Sequence, residues 1–202
     1  MIQPKEKTLP VINPIDLKSE MVDPSILMER KGYGHTIGAF SFFNQKGEII
    51  SEKDVNGKVY VAEYFFTTCK SICPIMNSQM KRVQKVFSDR EDFKILSFTV
   101  DPETDSVAQM KRYADRHGAI NNQWYFLTGD KSKLYDLARK SFFVLKPAEA
   151  ENLGDAGSDF IHTNNFVLVD RKSRIRGYYD GTSSGGVDSL IHDISRVLKE
   201  RD

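Results

Sequence analysis

The sequence predicts an α/β sandwich: a central mixed sheet with helices on both faces and a β-hairpin at the N-terminal side. Short runs at residues 58–66 and 93–100 are rich in Val, Ile, Tyr and Phe, which is typical of strands covered on both sides in a parallel sheet. Apolar residues recur at helical spacing between and after these runs, so strands and helices alternate. The 202 residues are 40% hydrophobic and 28% charged, which indicates one globular domain.

The first 34 residues predict an extended tether or strap outside the folded domain. Four of the seven prolines lie within the first 24 residues, among charges and without a periodic apolar pattern. We therefore place the domain at residues 35–202. It opens with a predicted β-hairpin, in which runs at 39–43 and 48–51 flank a turn that contains Gly47.

A first β-α-β unit follows the hairpin. The strand at 58–66 leads into a helix near Pro74, a residue that suits the first helical turn. The apolar residues of this helix are spaced by four, three and four positions and therefore share one face. They are Met76, Met80, Val83 and Phe87. The strand at 93–100 completes the unit.

The second helix is predicted from its apolar stripe and its ends. The stripe consists of Val107, Met110, Tyr113 and Ala114. Ser106 and Gln109 fit a capping box at the start of this helix. Gly118 is expected to stop the helix because glycine tolerates the left-handed backbone that ends many helices.

The last third of the chain completes the sandwich. A strand at 124–127 and a helix at 132–143 precede a long loop at 146–160. The remaining elements are an antiparallel pair of strands and an amphipathic helix, at 165–169, 174–179 and 187–200. This order of elements predicts a thioredoxin-like fold.

Charge and composition exclude several classes of function. The 29 Lys and Arg residues nearly balance 28 Asp and Glu, and a net charge of +1 provides no broad basic field for a nucleic-acid backbone. No stretch approaches the roughly 18 apolar residues of a transmembrane helix, and the first 30 residues lack the regions of a signal peptide. We therefore expect no nucleic-acid partner, and contact with a membrane only through an anchor absent from this chain.

The two cysteines, Cys69 and Cys73, are the centre of the predicted site. Both are expected near the N-terminus of the helix at Pro74, where unpaired N–H groups and the helix dipole lower the pKa of both thiols. Three interpretations remain open: a metal-binding dithiolate, a redox dithiol, or two small buried residues. Three intervening residues, against two in a CxxC redox motif, let the sulfurs spread around a soft cation and still close into a disulfide.

A site with two thiolates needs a further ligand, and His162 is the best placed of the four histidines. It precedes the strand at 165–169, and the loop before that strand faces the cysteine turn in a thioredoxin-like topology. Together with Cys69 and Cys73 it would form a three-ligand site suited to Cu(I) or Cu(II), whereas structural zinc would need a fourth ligand. On topology alone, a hydrogen-bonded loop histidine remains the alternative.

Asp101 and Asp105 follow the second strand of the predicted sheet. Ligand sites in open α/β sheets lie beyond the carboxyl ends of strands, so Asp101 is expected to orient a ligand or a partner without binding the metal itself. The alternative for both residues is turn and helix-start chemistry, which we favour for Asp105.

Three motifs, FFTTCKSICPIMNSQM, VDPETDS and HTNNFVLVD, occur in this order and resemble those of the Sco/SenC family of thioredoxin-like copper proteins over residues 35–200. The resemblance implies a copper metallochaperone that helps assemble the dinuclear copper centre of cytochrome c oxidase. It implies copper ligands at Cys69, Cys73 and His162, with Asp101 in the same neighbourhood. It also implies an anchored location, at the periplasmic face of the cell membrane or in the mitochondrial intermembrane space.

Two functions follow from these predictions. The leading one is a copper carrier that delivers copper to the copper-bearing subunit of cytochrome c oxidase, or to another copper protein, or reduces the receiving cysteines. The alternative is a metal-independent thiol-disulfide oxidoreductase that uses Cys69 and Cys73 as its attacking and resolving thiols. A metallochaperone is therefore favoured over an enzyme. If the protein is an enzyme, the expected activity is thiol-disulfide reduction. Peroxide reduction is disfavoured because the threonine and arginine that usually surround a peroxide-reducing cysteine cannot be placed.

Overall fold

The computed structural model describes residues 8–18, 22, 34–144 and 163–200. Within these residues the strands are β1 (Ser41–Phe43), β2 (Ile49–Ser51), β3 (Val59–Phe65), β4 (Phe93–Thr99), β5 (Trp124–Leu127), β6 (Asn165–Val169) and β7 (Ile175–Asp180). The α-helices are α1 (Glu52–Val55), α2 (Cys73–Val86), α3 (Val107–His117), α4 (Lys131–Lys140) and α5 (Ser184–Lys199), and a 3₁₀ turn covers Pro14–Asp16.

The central sheet is mixed, as the sequence predicts. Its five strands lie in the order β5-β4-β3-β6-β7, and β1 pairs with β2 in a separate hairpin. β3, β4 and β5 run parallel, β6 is antiparallel to β3, and β7 is antiparallel to β6. Every residue of β3 and β4 is buried, which explains why these two strands are nearly continuous apolar runs rather than alternating ones.

Two apolar clusters cover the two faces of the sheet. One combines apolar residues of α2, α3 and α5 with the side of β3 that carries Val61 and Phe65. The other combines the hairpin, Val55 of α1 and the apolar face of α4 with the side that carries Ala62 and Tyr64. Helices on both faces and the N-terminal hairpin confirm the predicted thioredoxin-like sandwich.

The structure gives the ends of α2 and α3 and corrects one predicted cap. The four predicted inward residues of α2 are all buried, and α2 ends one residue before Phe87. Gly118 ends α3 in the left-handed region, with φ of 66°. The Ser106 hydroxyl caps α3 by accepting from the Gln109 backbone N–H, but the capping box is not formed. The Ser106 N–H donates to the Thr104 carbonyl, and the Gln109 side chain donates to Thr67 instead.

Helix α4 ends earlier than predicted, and α1 has no counterpart in the prediction. The predicted helix at 132–143 stops at Lys140 because Phe142 and Phe143 turn into the core, where both are buried. The short α1 begins after Ser51, a serine whose hydroxyl hydrogen-bonds Asp54. The predicted loop at 146–160 lies outside the described residues.

The N-terminal segment at 8–18 contacts the edge of the sheet. Ile12 forms a β-bridge with Ile175 of β7, and the Arg176 guanidinium donates to the carbonyls of Leu9 and Pro10. The division of the chain at residue 35 stays a prediction. In the portion of the chain that is described, no helix has the length and apolar character needed to cross a membrane.

Candidate functional site

The carboxyl end of β3 and the first turn of α2 position the two cysteines. A turn closed by a hydrogen bond from the Cys69 N–H to the Phe66 carbonyl, at 3.2 Å, carries the chain away from β3. Cys73 is the first residue of α2, directly before Pro74. Cys69 is partly exposed, whereas Cys73 is 3% exposed and packs in the apolar cluster beneath α2. One thiol is therefore accessible, and the other is held in the core.

The two thiols have different acidities because their surroundings differ. Partial burial raises the pKa of Cys69, but hydrogen bonds from Cys73 and from Ser71 outweigh this effect and lower the pKa to about 7. The Cys69 sulfur lies 3.6 Å from the Ser71 hydroxyl oxygen. Burial raises the pKa of the Cys73 thiol well above its usual value, and the hydrogen bond to Cys69 raises it further. The prediction that both pKa values fall is therefore wrong for Cys73, because burial outweighs its position at the helix N-terminus.

A chain of hydrogen bonds holds the first turn of α2 in place. The Asn77 amide donates to the Cys73 carbonyl at 2.8 Å and to the Tyr113 hydroxyl oxygen at 2.6 Å. Both Asn77 and Tyr113 are buried, so the two bonds form away from water and link α2 to α3. The backbone of Cys73 is thereby fixed from both helices.

A buried carboxyl, Glu63 of β3, lies on the same side of the sheet as Cys73. Glu63 is 1% exposed and accepts a hydrogen bond from the Ser97 hydroxyl at 2.6 Å, and Ser97 in turn accepts from the Trp124 indole at 2.8 Å. Burial raises the pKa of Glu63 to about 7, against the opposing effect of the Ser97 bond. Its charge also raises the pKa of Cys73. The sequence analysis did not identify this residue, although a carboxylate inside the apolar run at 58–66 is a detectable signal.

A second buried carboxyl, Asp105, ties the cysteine turn to β4. Asp105 is fully buried and accepts from the Thr67 N–H at 3.2 Å, from the Thr67 hydroxyl, and from the Thr99 hydroxyl at 2.5 Å. Burial raises the pKa of Asp105, and the bonds from Thr67 and Thr99 act in the opposite direction. Asp105 lies in the turn before α3, where turn and helix-start chemistry is predicted, and its buried carboxylate also joins Thr67 after β3 to Thr99 at the end of β4.

Asp101 lies in the turn next to this cluster. Its N–H donates to the Thr99 hydroxyl oxygen at 2.9 Å, and its carbonyl accepts from the Asp105 N–H at 2.8 Å. Among the described residues its carboxylate makes no hydrogen bond to either thiol. Its predicted role in orienting a ligand or partner stays a prediction.

His162, the predicted third ligand, lies outside the described residues. Its chain neighbour Thr163 is described and buried, and β6 begins two residues later at Asn165. Because β6 is antiparallel to β3, with Ala62 opposite Val167, the chain enters β6 at the end of the sheet where β3 leads into the cysteine turn. In the described part of the chain, no three His, Cys, Asp or Glu side chains converge on a metal-sized site. Among the described residues the two sulfurs remain the candidate ligands for a metal, and thiolate sulfur suits soft cations.

Three comparisons with known proteins agree with this architecture. The chain is 33% identical over 163 residues to the SCO1 protein homolog of Bacillus subtilis. The aligned region covers 79% of this chain and 81% of that protein. The crystal structure of a SCO1/SenC family lipoprotein from Bacillus anthracis matches with a TM-score of 0.70 and 27% identity, over 84% of this chain and 99% of that one.

A second solved structure is that of BsSco, described as a member of the Sco family of cytochrome c oxidase assembly proteins and as containing a disulfide switch. It matches with a TM-score of 0.69 and 30% identity, over 83% of this chain and 95% of that one. The copper-bound structure of Bradyrhizobium japonicum ScoI shares the fold, with a TM-score of 0.59 and 22% identity over 82% of this chain and 100% of that one.

The family comparison extends over most of the sequence. The SCO1/SenC family pattern matches residues 28–199, a range that contains β1 to β7, both cysteines and the polar cluster at Asp105. The match, the fold and the cysteine turn at the head of α2 agree, and the chain belongs to the SCO1/SenC family.

Proposed function

We propose that the protein binds copper through Cys69 and Cys73 and passes it to a copper-requiring partner protein. The observation that carries this proposal is the pair of thiols, one partly exposed and one buried, in the turn after β3 and at the first residue of α2. Lowering the pKa of Cys69 to about 7 makes half of this thiol a thiolate at neutral pH, and thiolate is the form that binds metal. A site with one accessible sulfur allows a partner's ligand to enter from solvent.

Copper is the cation that this donor set favours. Two soft sulfur ligands select Cu(I) over the hard cations Mg²⁺ and Ca²⁺, and structural zinc sites use four protein ligands. Copper binding in a ScoI protein of the same fold supports the same conclusion. The copper ion is the cargo of the protein, and Cys69 and Cys73 hold it between capture and transfer.

His162 is proposed as the third ligand. The support is its place in the chain, directly before Thr163 and close to the start of β6, which lies beside the end of β3. An imidazole added to two thiolates gives a three-ligand site, which leaves an open side for ligand exchange with a partner. Asp101 is proposed to orient a ligand or the partner from the adjacent turn.

The proposed partner is the copper-bearing subunit of cytochrome c oxidase or another copper protein. Support comes from BsSco, a relative in a family of cytochrome c oxidase assembly proteins. The proposed location is the periplasmic face of the cell membrane or the mitochondrial intermembrane space, since one relative is a lipoprotein and others are mitochondrial. Turnover of a disulfide substrate by the metal-free protein would favour reduction of the receiving cysteines over delivery of copper.

Titration of the reduced protein with Cu(I) and Cu(II) tests the proposal. We expect one copper per chain, thiolate-to-copper absorption for Cu(II), and loss of tight binding in Cys69→Ser and Cys73→Ser. His162→Ala is expected to weaken copper binding while both thiols still react with a thiol reagent. His192→Ala is the matched control, because this histidine is exposed on α5. Wild-type protein that binds no copper under these conditions would disprove the proposed function.

A second candidate function is thiol-disulfide exchange without metal. The contrast between the two thiols favours it: Cys69, with a pKa of about 7, suits attack on a partner's disulfide, and the buried Cys73 suits resolution of the mixed disulfide. The disulfide switch of BsSco supports the same chemistry. Turnover of a disulfide substrate by the metal-free protein would establish this function, and copper-dependent transfer without such turnover would exclude it.

A further inference from the structure

Asp105 lies at the meeting point of three elements, with no contact to solvent. It is the residue before the N-cap of α3, and its carboxylate accepts from Thr67 after β3 and from Thr99 at the end of β4. The Gln109 side chain of α3 adds a bond to the Thr67 hydroxyl oxygen at 3.0 Å. We call Thr67, Thr99, Asp105 and Gln109 the Asp105 cluster.

The donors in this cluster require a carboxylate. The Thr67 N–H, the Thr67 hydroxyl and the Thr99 hydroxyl all donate to the two oxygens of Asp105. A carboxylate accepts at both oxygens, whereas an amide of the same shape accepts at one oxygen and donates from its nitrogen. In Asp105→Asn the NH₂ group would therefore face at least one of these donors. That donor would then be buried without an acceptor.

Thr67 is the residue through which the cluster acts on the cysteines. It is the second residue of the turn whose closing hydrogen bond joins the Cys69 N–H to the Phe66 carbonyl. Cys73 is fixed separately, by its place in α2 and by the bond from Asn77. The distance between the two sulfurs thus depends on how firmly the turn with Cys69 is held, and the Asp105 cluster holds it from β4 and α3.

We infer that Asp105 is a positioning residue that keeps the Cys69 thiol in place opposite the Cys73 thiol. Its N–H also bonds the Asp101 carbonyl at 2.8 Å, so the same residue fixes the turn that carries Asp101. The inference rests on the proposed function only in that both use the two thiols as a pair. It predicts that loss of the carboxylate loosens the cysteine pair even where the fold survives.

The test is the metal-free exchange equilibrium with glutathione. Two protein thiols and one glutathione disulfide give the Cys69–Cys73 disulfide and two glutathione thiols, so the protein pair is oxidised and glutathione is reduced. The equilibrium constant measures the effective concentration of one thiol at the other, which reports their mutual orientation. We expect Asp105→Asn to lower this effective concentration by about tenfold or more. We also expect it to weaken Cu(I) binding by about 10- to 100-fold.

Ser106→Ala is the matched control, since it removes the hydroxyl cap of α3 at the neighbouring residue and leaves the Asp105 cluster intact. Urea unfolding is expected to show that both variants lose stability, and only Asp105→Asn should change the effective concentration. Equal effective concentrations in Asp105→Asn and wild type, with both folded by circular dichroism, would overturn the inference.

A pair of Thr67 variants decides the matter if Asp105→Asn does not fold. Thr67→Ser keeps the hydroxyl donor and should retain the wild-type effective concentration. Thr67→Val removes the hydroxyl and should lower the effective concentration several-fold. Identical values for the two variants would count against the inference. A wild-type protein that fails to bind copper would disprove the proposed function. Because glutathione exchange needs no metal, the effective concentrations would still test the role of Asp105.

Discussion

At the scale of single residues, the two cysteines share one turn but meet different surroundings. Cys69 is partly exposed to solvent, and hydrogen bonds stabilise its thiolate. Cys73 lies in an apolar cluster near Glu63, where ionisation of its thiol is unfavourable. Near neutral pH about half of the Cys69 thiol is therefore thiolate, whereas the Cys73 thiol stays protonated. This arrangement suits stepwise chemistry, in which Cys69 makes the first contact with copper or with a partner's sulfur and Cys73 follows.

The pH dependence of thiol alkylation checks this asymmetry. In the reduced, metal-free protein, the rate of iodoacetamide labelling at Cys69 is expected to rise tenfold per pH unit below about pH 7 and to level off above it, following the thiolate fraction. Mass spectrometry of the labelled peptide distinguishes the two sites, and Cys73 is expected to react far more slowly at pH 7. A midpoint near 8.5, the value of a free cysteine, would contradict the lowered pKa.

Glu63 is expected to make stability depend on pH. Its pKa is about 7 in the folded protein against 4.5 as the ordinary value, so the folded state holds a proton that the unfolded state releases between these pH values. The stabilisation is fully present below pH 4.5 and is lost as the pH rises through about 7. The loss is on the order of 3 kcal/mol in the free energy of unfolding.

Urea unfolding of wild type and Glu63→Gln between pH 4 and pH 8 measures this effect. Glutamine keeps the shape and can accept the Ser97 hydrogen bond, but it does not titrate. The difference in free energy of unfolding between the two proteins is expected to shift in favour of Glu63→Gln as the pH rises. A constant difference across this range would show that Glu63 does not titrate there.

At the scale of elements, α2 serves both the core and the site. Its buried face packs against β3 and α5, and its first residue is Cys73. The apolar spacing in the sequence predicts this face, since Met76, Met80 and Val83 are fully or almost fully buried. The position of the cysteine at the helix start is therefore tied to the packing of the whole helix.

Met80→Ala is expected to lower the free energy of unfolding by about 2–5 kcal/mol, because the side chain is fully buried and its removal leaves a cavity. Val86→Ala on the same helix is the control, since Val86 is 51% exposed and its change should stay within about 0.5 kcal/mol. Chemical denaturation of both variants provides the comparison. Equal losses in the two variants would show that the face assigned to Met80 is not the packed one.

At the scale of the whole molecule, Arg176 links the two ends of the described chain to the sheet. Arg176 is 2% exposed on β7 and bonds the carbonyls of Leu9 and Pro10. It also pairs with Asp170 at 3.1 Å and with Glu200 at 2.6 Å. Asp170 and Glu200 both have lowered pKa values. Burial raises the pKa of Asp170, but hydrogen bonds from Arg174 outweigh this effect. The main cause of the lowered pKa of Glu200 is the hydrogen bond from Arg176.

Arg176→Met is expected to destabilise the fold by about 3–5 kcal/mol, because it leaves Asp170 buried with less of its compensating charge. It is also expected to release the segment at 8–18, which limited proteolysis followed by mass spectrometry would detect as faster cleavage. Arg176→Lys is the control, since lysine keeps the charge but lacks the planar fork that reaches both carbonyls and both carboxylates. Unchanged proteolysis in Arg176→Met would show that the segment is held by other contacts, such as the bridge from Ile12 to Ile175.

Patterns along the chain were enough to predict the alternation of strands and helices, the mixed sheet and a reactive pair at Cys69 and Cys73. These features depend on local spacing, such as the apolar steps of α2 and the stop at Gly118, and local spacing can be read along the chain. The family resemblance gave copper and His162 as expectations.

The more acidic of the two thiols and the carboxylates near them could not be predicted from local patterns, because both depend on how distant elements pack. Burial of Cys73, Glu63 and Asp105 arises from residues far apart in the sequence, since β3, β4 and α3 meet at one end of the sheet. The pKa of a group depends on the water and charges around it, and those surroundings exist only after the elements have packed. For the same reason Gln109, which local spacing assigns to a helix cap, contacts Thr67 beside the cysteine turn.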